Sequence, residues 1–280
     1  METYGVAIPV REPTDDLEKV LESLAELEVP PIAVAVNDQS EGTEIAELCE
    51  RFQNRFPTFV RTTKTVPGGV SSARNGAITA IMDLVDWVCV LDDDSKIVNP
   101  PVLRSNEFPD ASAVAGHCMS PRVPASSKER FIVDRRTVWT HVIESGLFFR
   151  AEHLRDGLLF DEALGTGCPT PWQSAEGTDL LIRCMQRGPV VYDPEYKVLM
   201  VSNASEVFPI AKHRRYARGT GRVLRRWCSP SQCLRGSAGP LIRVVRHALK
   251  RDWYGVRLQS AIFIGRIEGL LGRTFSQKPL

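Results

Sequence analysis

No apolar run in these 280 residues approaches the ~18–20 needed to cross a bilayer, so any membrane contact is expected to be peripheral. Cysteine is present without pattern. Cys49, Cys89, Cys118, Cys168, Cys184, Cys228 and Cys233 form no CxxC pair and no Cys/His cluster with zinc spacing, which argues against a zinc module. An odd number of thiols cannot all pair within one chain, so reduced thiols and a cytoplasmic location are expected. The opening METYGVAIPV shows no basic n-region and no cleavage site, and no signal peptide is expected from it. GxxxxGK[ST] is absent, so there is no Walker loop. There is also no internal repeat and no low-complexity segment. With 43% apolar and 25% charged residues, collagen-like, disulfide-scaffold and disordered classes are excluded.

Net charge is nearly absent too, at +1 from 35 basic and 34 acidic side chains, but the sum conceals an asymmetry. Residues 1–211 hold 19 basic and 32 acidic side chains, whereas residues 212–280 hold 16 and 2. A basic C-terminal quarter of this kind meets an anionic surface, either membrane or nucleic acid, or packs on the acidic body.

What is there alternates. Val6 to Val10, Ile32 to Val36, Thr58 to Arg61 and Trp87 to Leu91 are short apolar runs that read as strands. Between them, Asp16–Leu27, Thr43–Phe52 and Ser71–Leu84 read as helices, which is the α/β signature. In the first helix Leu17, Val20, Leu21, Leu24 and Leu27 recur at helical spacing, and Thr14 or Asp15 is placed to cap it. A Pro-Gly-Gly turn at Pro67–Gly69 precedes the third helix. Further on come a strand at Ala113–Cys118, a polar loop at Ser120–Arg136, an apolar stretch Trp139–Phe149 and a helix over Ser174–Arg187 closed by Gly188. The body ends near Ser205.

In open parallel sheets ligands bind outside the carboxyl ends of the strands, and polar residues recur at those ends here: Arg11 and Glu12, Asp38, and Asp92, Asp93 and Asp94. Three successive carboxylates after a buried strand repel unless a cation or a hydrogen-bond network offsets them, and such oxygens suit Mg²⁺ or Mn²⁺ carried by a phosphate-bearing substrate. Asp38 is placed to accept from a ribose hydroxyl or a base N–H. GGVSSARNGAI puts glycines, hydroxyls and Arg74 at a helix start, where phosphate is favoured.

Glu176 and Asp179 share one helical face near a helix N-terminus, and either is a candidate general base. Trp172, between Pro169 and Pro171 on one side and Gln173 on the other, is a candidate wall for a sugar ring. In KHRRYARGTGRVLRRW, Arg218, Arg222 and Arg225 fall on one helical face, open to a pyrophosphate, a lipid headgroup or solvent, and Gly219 and Gly221 allow close backbone approach. A break at Ser229–Pro240 leads into two apolar helical stretches with cationic flanks and Trp253-Tyr254, the makings of a monotopic membrane attachment or, instead, of core packing or a homodimer surface.

Taken in order, these segments resemble the family 2 glycosyltransferases of GT-A fold. AIPVREPTDDLEKVLESL is similar to that family's first strand and helix, VAVNDQSEGT to its nucleotide-contacting turn and GGVSSARNGAI to its GxxxARNxGI segment. WVCVLDDDSKI is similar to the strand ending in the DxD motif, ESGLFFRAEHL and LLFDEALG to the acceptor-side strand and turn, and AEGTDLLIRCMQRG to the EDxDLxxR helix. VVYDPEYKV and RRYARGTG complete the series, which covers residues 4 to about 226. The resemblance implies a Rossmann-like, mostly parallel sheet flanked by helices over residues 1–211, with the nucleotide part at about 1–98 and the acceptor part at about 99–211. A basic amphipathic helical extension would follow at 212–280.

It further implies an inverting transfer of a sugar from a nucleotide-diphosphate donor to a glycan or lipid-linked acceptor. Pro9, Arg11, Glu12, Asp38, Arg74, Asn75, Asp92 and Asp93 would line the donor, and Asp94 with Asp92 would hold Mg²⁺ or Mn²⁺. Glu176 or Asp179 would act as base, Trp172 would stand on the acceptor side, and Arg218 and Arg222 would meet membrane or diphosphate. Gly177 departs from the pattern by replacing an acid, which leaves open which carboxylate is the base and favours, as the alternative, an inactive nucleotide-sugar-binding module. A nucleotidyltransferase ranks lower, since no Gly-rich basic loop follows the first strand. No nucleic-acid partner is expected; the chain is expected at the inner face of the membrane, held through residues 240–280.

Overall fold

The computed structural model describes residues 2–13, 15–63, 68–100, 103, 107–119, 127–200 and 208–275. Thr14 as a cap, Pro67 of the turn, residues 120–126 of the polar loop and Ser205 as the end of the body lie outside the described residues. The chain divides into two compact units. One comprises Met1–Pro67, Ser72–Phe160 and Leu180–Ala204, and the other Gly68–Ser71, Asp161–Asp179 and Ser205–Leu280. The segment Asp161–Asp179 groups with the C-terminal helices, so the two units interleave along the sequence.

Among the described residues, the first unit is built on one nine-stranded sheet. Strands β1 (Tyr4–Val10), β2 (Ala33–Asp38), β3 (Thr58–Thr63) and β4 (Trp87–Val90) run parallel in the order β3-β2-β1-β4. β1, β2 and β4 are buried throughout, which is why they read as unbroken apolar runs rather than as alternation. Helix α1 (Asp15–Ala25) buries Leu17, Val20, Leu21 and Leu24, and α2 (Glu44–Phe52) buries Ile45, Leu48, Cys49 and Phe52. Helix α3 (Val70–Ile81) follows β3.

Beyond β4 the sheet turns mixed. β5 (Ser95–Asn99), β6 (Ala113–Met119), β7 (Phe131–Ile132), β8 (Leu147–Arg150) and β9 (Val190–Met200) add to it, with β8 antiparallel to β4 and to β6, and β6 parallel to β9. Short helix α4 (Ala151–Arg155) follows β8, and α5 (Glu176–Cys184) precedes β9. The apolar stretch Trp139–Phe149 is therefore divided, ending a 3₁₀ turn at Thr137–Trp139 and supplying most of β8.

The second unit is helical: α6 (Ile210–Trp227), α7 (Pro230–Leu249) and α8 (Trp253–Leu271). The expected break at Ser229–Pro240 shrinks to a tight corner. Ser229 caps α7 in a reciprocal box with Gln232, and Pro230 stands in the first turn, where a missing N–H costs nothing. Pro240 is accommodated inside the helix. α6 and α8 pack at backbone contact. A Cβ on Gly221 would collide with the Arg266 carbonyl, one on Gly265 with that of Arg214, and one on Gly269 with that of Arg218. The glycines of RGTG thus serve helix packing, and Gly219 lies just as close to the Ser174 backbone.

Candidate active site

Register places the acidic strand ends together. Pro9 pairs with Asn37 and Val10 with Asp38 across β1 and β2, and Leu91, just past β4, donates its N–H to the Ala7 carbonyl of β1. Pro9, Asp38 and the Asp92–Asp94 turn therefore lie at the carboxyl edge of three adjacent parallel strands, where open α/β sheets bind ligands. Arg11 and Glu12 follow β1 at that edge and are exposed.

Asp38 is buried, with its carboxylate accepting from the Ser40 N–H and hydroxyl at 2.8 and 2.6 Å and from Arg61 at 2.7 and 3.0 Å. The Arg61 partner is invisible in the sequence, since sheet pairing of β2 with β3 creates it. Arg74 is 3% exposed; it donates to Asp92 at 2.8 Å, and its guanidinium lies 5.3 Å from the Phe160 ring. Asn75 is committed to the backbone, donating to the Phe160 carbonyl at 3.0 Å and accepting its N–H at 2.9 Å. Asn75 thus fixes the chain at Phe160.

Asp93 is the electrostatically stressed member of the triplet. Burial, then the charges of Asp92 and Asp94, push its carboxyl up to about 7. The repulsion expected from the sequence is therefore present at Asp93, while Arg74 offsets the neighbouring Asp92. The described residues form no group of three or more His, Cys, Asp or Glu side chains set for a metal ion. A fit exists only for an ion that brings phosphate oxygens with it, with Asp94 and Asp92 supplying one or two carboxylates.

A raised carboxyl burdens the folded state once it ionises, so its cost is absent near pH 4 and fully present above pH 7. Asp93→Asn should accordingly raise the melting temperature at pH 8 by about 2–4 °C for each kcal/mol relieved, and leave it unchanged at pH 4. Equal shifts at the two pH values in a thermal scan would contradict this.

In the second unit Glu176 opens α5 and is 4% exposed, behind Ala175, whose φ of 67° is left-handed. That conformation costs a non-glycine residue about 1–2 kcal/mol, so its surroundings hold it in place. Gly165, with φ 100°, lies against Glu176: a Cβ there would stand 3.1 Å from the Glu176 carboxyl carbon and 2.9 Å from Ser71 Oγ. Asp179 is fully buried, and its Oδ1 accepts from Trp227 Nε1 at 2.7 Å and Arg226 at 3.2 Å. The same Arg226 nitrogen donates to Asp161 at 2.9 Å. A cavity of about 350 Å³ is lined by Asp161, Leu164, Trp172, Arg222, Arg225 and Arg226 among others.

Trp172 is thus a pocket wall, and Arg222 lies 5.6 Å from its ring centre. Arg218 is placed elsewhere. With Arg214 it grips the fully buried Glu268 of α8, at 2.7 and 2.6 Å respectively, an ion pair that ties α6 to α8. Arg226 and Trp227 were legible only as part of a basic aromatic string; their bonds to Asp179 come from the return of α6 past α5's first turn.

No protein-family model and no curated protein matches the chain. Among solved structures it is similar to TarS 1–349 of S. aureus in complex with UDP-GlcNAc, at 16% identity and TM-score 0.56, over 98% of this chain and 93% of that one. It is also similar to the mannosyltransferase PcManGT from Pyrobaculum calidifontis in complex with GDP-Man and Mn²⁺, at 14% identity and TM-score 0.61, over 97% and 88%. GalNAc-T7 with UDP, GalNAc and Mn²⁺ matches at 13% identity and TM-score 0.61, over 85% of this chain and 51% of that one. At these identities the likeness is one of fold, and that fold is the GT-A fold of glycosyltransferases.

Proposed function

We propose that the chain is an inverting glycosyltransferase of family 2 type, moving a sugar from a nucleotide-diphosphate donor to a hydroxyl of a glycan or lipid-linked acceptor at the inner face of a membrane. The observation that carries this reading is the convergence of Asp38, Arg74 and Asp92–Asp94 at the carboxyl edge of a GT-A sheet. The similar structures bind UDP-GlcNAc, GDP-Man or UDP, two of them with Mn²⁺, which supports such a donor and a divalent ion.

Asp38 accepts from the nucleoside, and Arg74, held by Asp92 and Phe160, faces the phosphates as a pre-positioned cation. Mg²⁺ or Mn²⁺, when bound at Asp94 and Asp92, supplies charge neutralisation on the leaving diphosphate. Glu176 takes the proton of the acceptor hydroxyl, and the Trp172 pocket with its arginines receives the acceptor.

The test is a panel of UDP-, GDP- and dTDP-sugars with Mg²⁺ or Mn²⁺, read as thermal stabilisation, where a ligand at a hundred times its Kd adds about 2.7 kcal/mol. Asp94→Ala should abolish the metal-dependent part of that stabilisation. No shift with any donor would sink the reading, and an unchanged Mn²⁺ effect in Asp94→Ala would remove Asp94 from the site. Gly177 favours a second reading, a module that binds a nucleotide sugar without turnover. Donor hydrolysis without acceptor, seen in the wild type and lost in Glu176→Gln, separates the two.

A further inference from the structure

Helix α7 packs with its small residues inward and its large ones outward. The side turned toward the rest of its unit carries Cys233, Ser237, Pro240, Val244 and His247, of which Ser237 and Pro240 are buried. Leu234, Leu241 and Val245, spaced seven and four apart on one line of the helix, stand in solvent with their neighbours Ile242 and Leu249. Leu234 is 72% exposed and Leu249 82%. Trp253 and Tyr254, opening α8 just after the end of α7, are more than half exposed. Beside the row, Arg235, Arg246, Lys250 and Arg251 are exposed as well.

The expected membrane contact through residues 240–280 placed apolar stripes on both C-terminal helices. α8 does not offer one along its length, because its glycine face is pressed on α6 and Arg266 donates to the Gly236 carbonyl of α7. The exposed surface is the outward side of α7 and the first turn of α8.

We infer that this surface seats on the headgroup layer of an anionic lipid leaflet, with Leu234, Leu241, Val245 and Leu249 entering the acyl boundary, Trp253 and Tyr254 at the interface, and the adjacent cations on lipid phosphates. Charge complementarity selects that occupant. Residues 208–275 contain only two acids, Glu268 and Asp252. Glu268 is fully buried between Arg214 and Arg218, and Asp252 is bonded to His247 while capping α8. Positive charge beside the apolar row is therefore almost unopposed. A two-fold pair of chains meeting here would bring two copies of the same basic surface together, and a nucleic acid would take the charges yet leave the aliphatic row in water. No helix among the described residues is long and apolar enough to span a membrane, which fits seating on the leaflet rather than through it.

This deepens the membrane-facing part of the proposed function and rests on it for the purpose the contact serves; vesicle binding is read without turnover, so the two fail separately. The full chain should sediment with vesicles of equimolar phosphatidylcholine and phosphatidylglycerol and stay in solution with phosphatidylcholine alone. Arg246→Gln and Lys250→Gln should each weaken binding about fivefold. Leu241→Asp with Val245→Asp should weaken it more than tenfold with the melting temperature unchanged, both positions being exposed, and Leu249→Asp should weaken it independently. Vesicle binding unaltered in the aspartate variants overturns the inference. So does a wild-type dimer in gel filtration that those variants split while vesicles are ignored, because the occupant is then a second copy.

Discussion

Glu176→Gln is expected to lower turnover by about 10²–10⁴-fold while leaving donor-induced stabilisation in place, the loss that follows from removing a positioned proton acceptor. The substitution keeps shape and removes only the proton-accepting charge, at a residue held in place by Ala175's left-handed backbone and by the close approach of Gly165. Asp179 is the weaker candidate because its bonds are already committed: Oδ1 takes both the Trp227 indole and Arg226, and no part of the residue reaches solvent. Asp179→Asn should therefore lower the melting temperature as well as activity, since it turns an acceptor shared by an indole and a cation into an amide that meets Arg226 poorly. The outcome that would exchange the roles is Asp179→Asn dead but fully stable beside an active Glu176→Gln. Initial rates over a donor and acceptor grid, with a thermal scan of each variant, decide it.

The strands that carry the acidic edge were legible because their physics is local. Val6–Val10 and Trp87–Leu91 are buried on both faces and leave no alternative to apolar residues, and the polar residues that end them mark the edge. Arg61 on Asp38 was not legible, because it depends on which strand lies beside β2. In the tail, periodicity showed that α7 has an apolar face but not which face is inside. Packing chose Ser237 and Pro240, since small residues let helices approach, and left the leucines outside. The arginines of RRYARGTGRVLRRW read as one cationic surface from spacing alone. Their separate fates, Arg218 on Glu268, Arg222 over Trp172 and Arg226 on Asp161 and Asp179, follow from what α8 and the 161–179 segment bring opposite them.

Glu268→Ala should destabilise the chain by about 3–5 kcal/mol, the usual consequence of stripping one partner from a buried ion pair. Glu268 is fully buried, and Arg214 and Arg218 have side chains only 8% and 12% exposed. The alanine removes the carboxylate that both guanidinium groups bond, and the Phe275 N–H loses its acceptor. Burial alone would raise the Glu268 carboxyl, but the bonds from Arg214, Arg218 and Phe275 outweigh it and hold the group down at about 2. A depressed carboxyl contributes stability that is complete above its ordinary value near 4.5 and is lost as pH falls toward 2. Wild type should therefore lose stability over that acid range more steeply than Glu268→Gln, and the two should differ most at neutral pH. Urea titrations at pH 7 and pH 3 measure both claims, and parallel curves at the two pH values would show that the ion pair carries no such weight. Because Arg226 and Trp227 ride on the same helix as Arg214 and Arg218, loosening α6 from α8 should also release Asp179 from its donors, so the alanine variant is expected to lose turnover at temperatures where it is still folded.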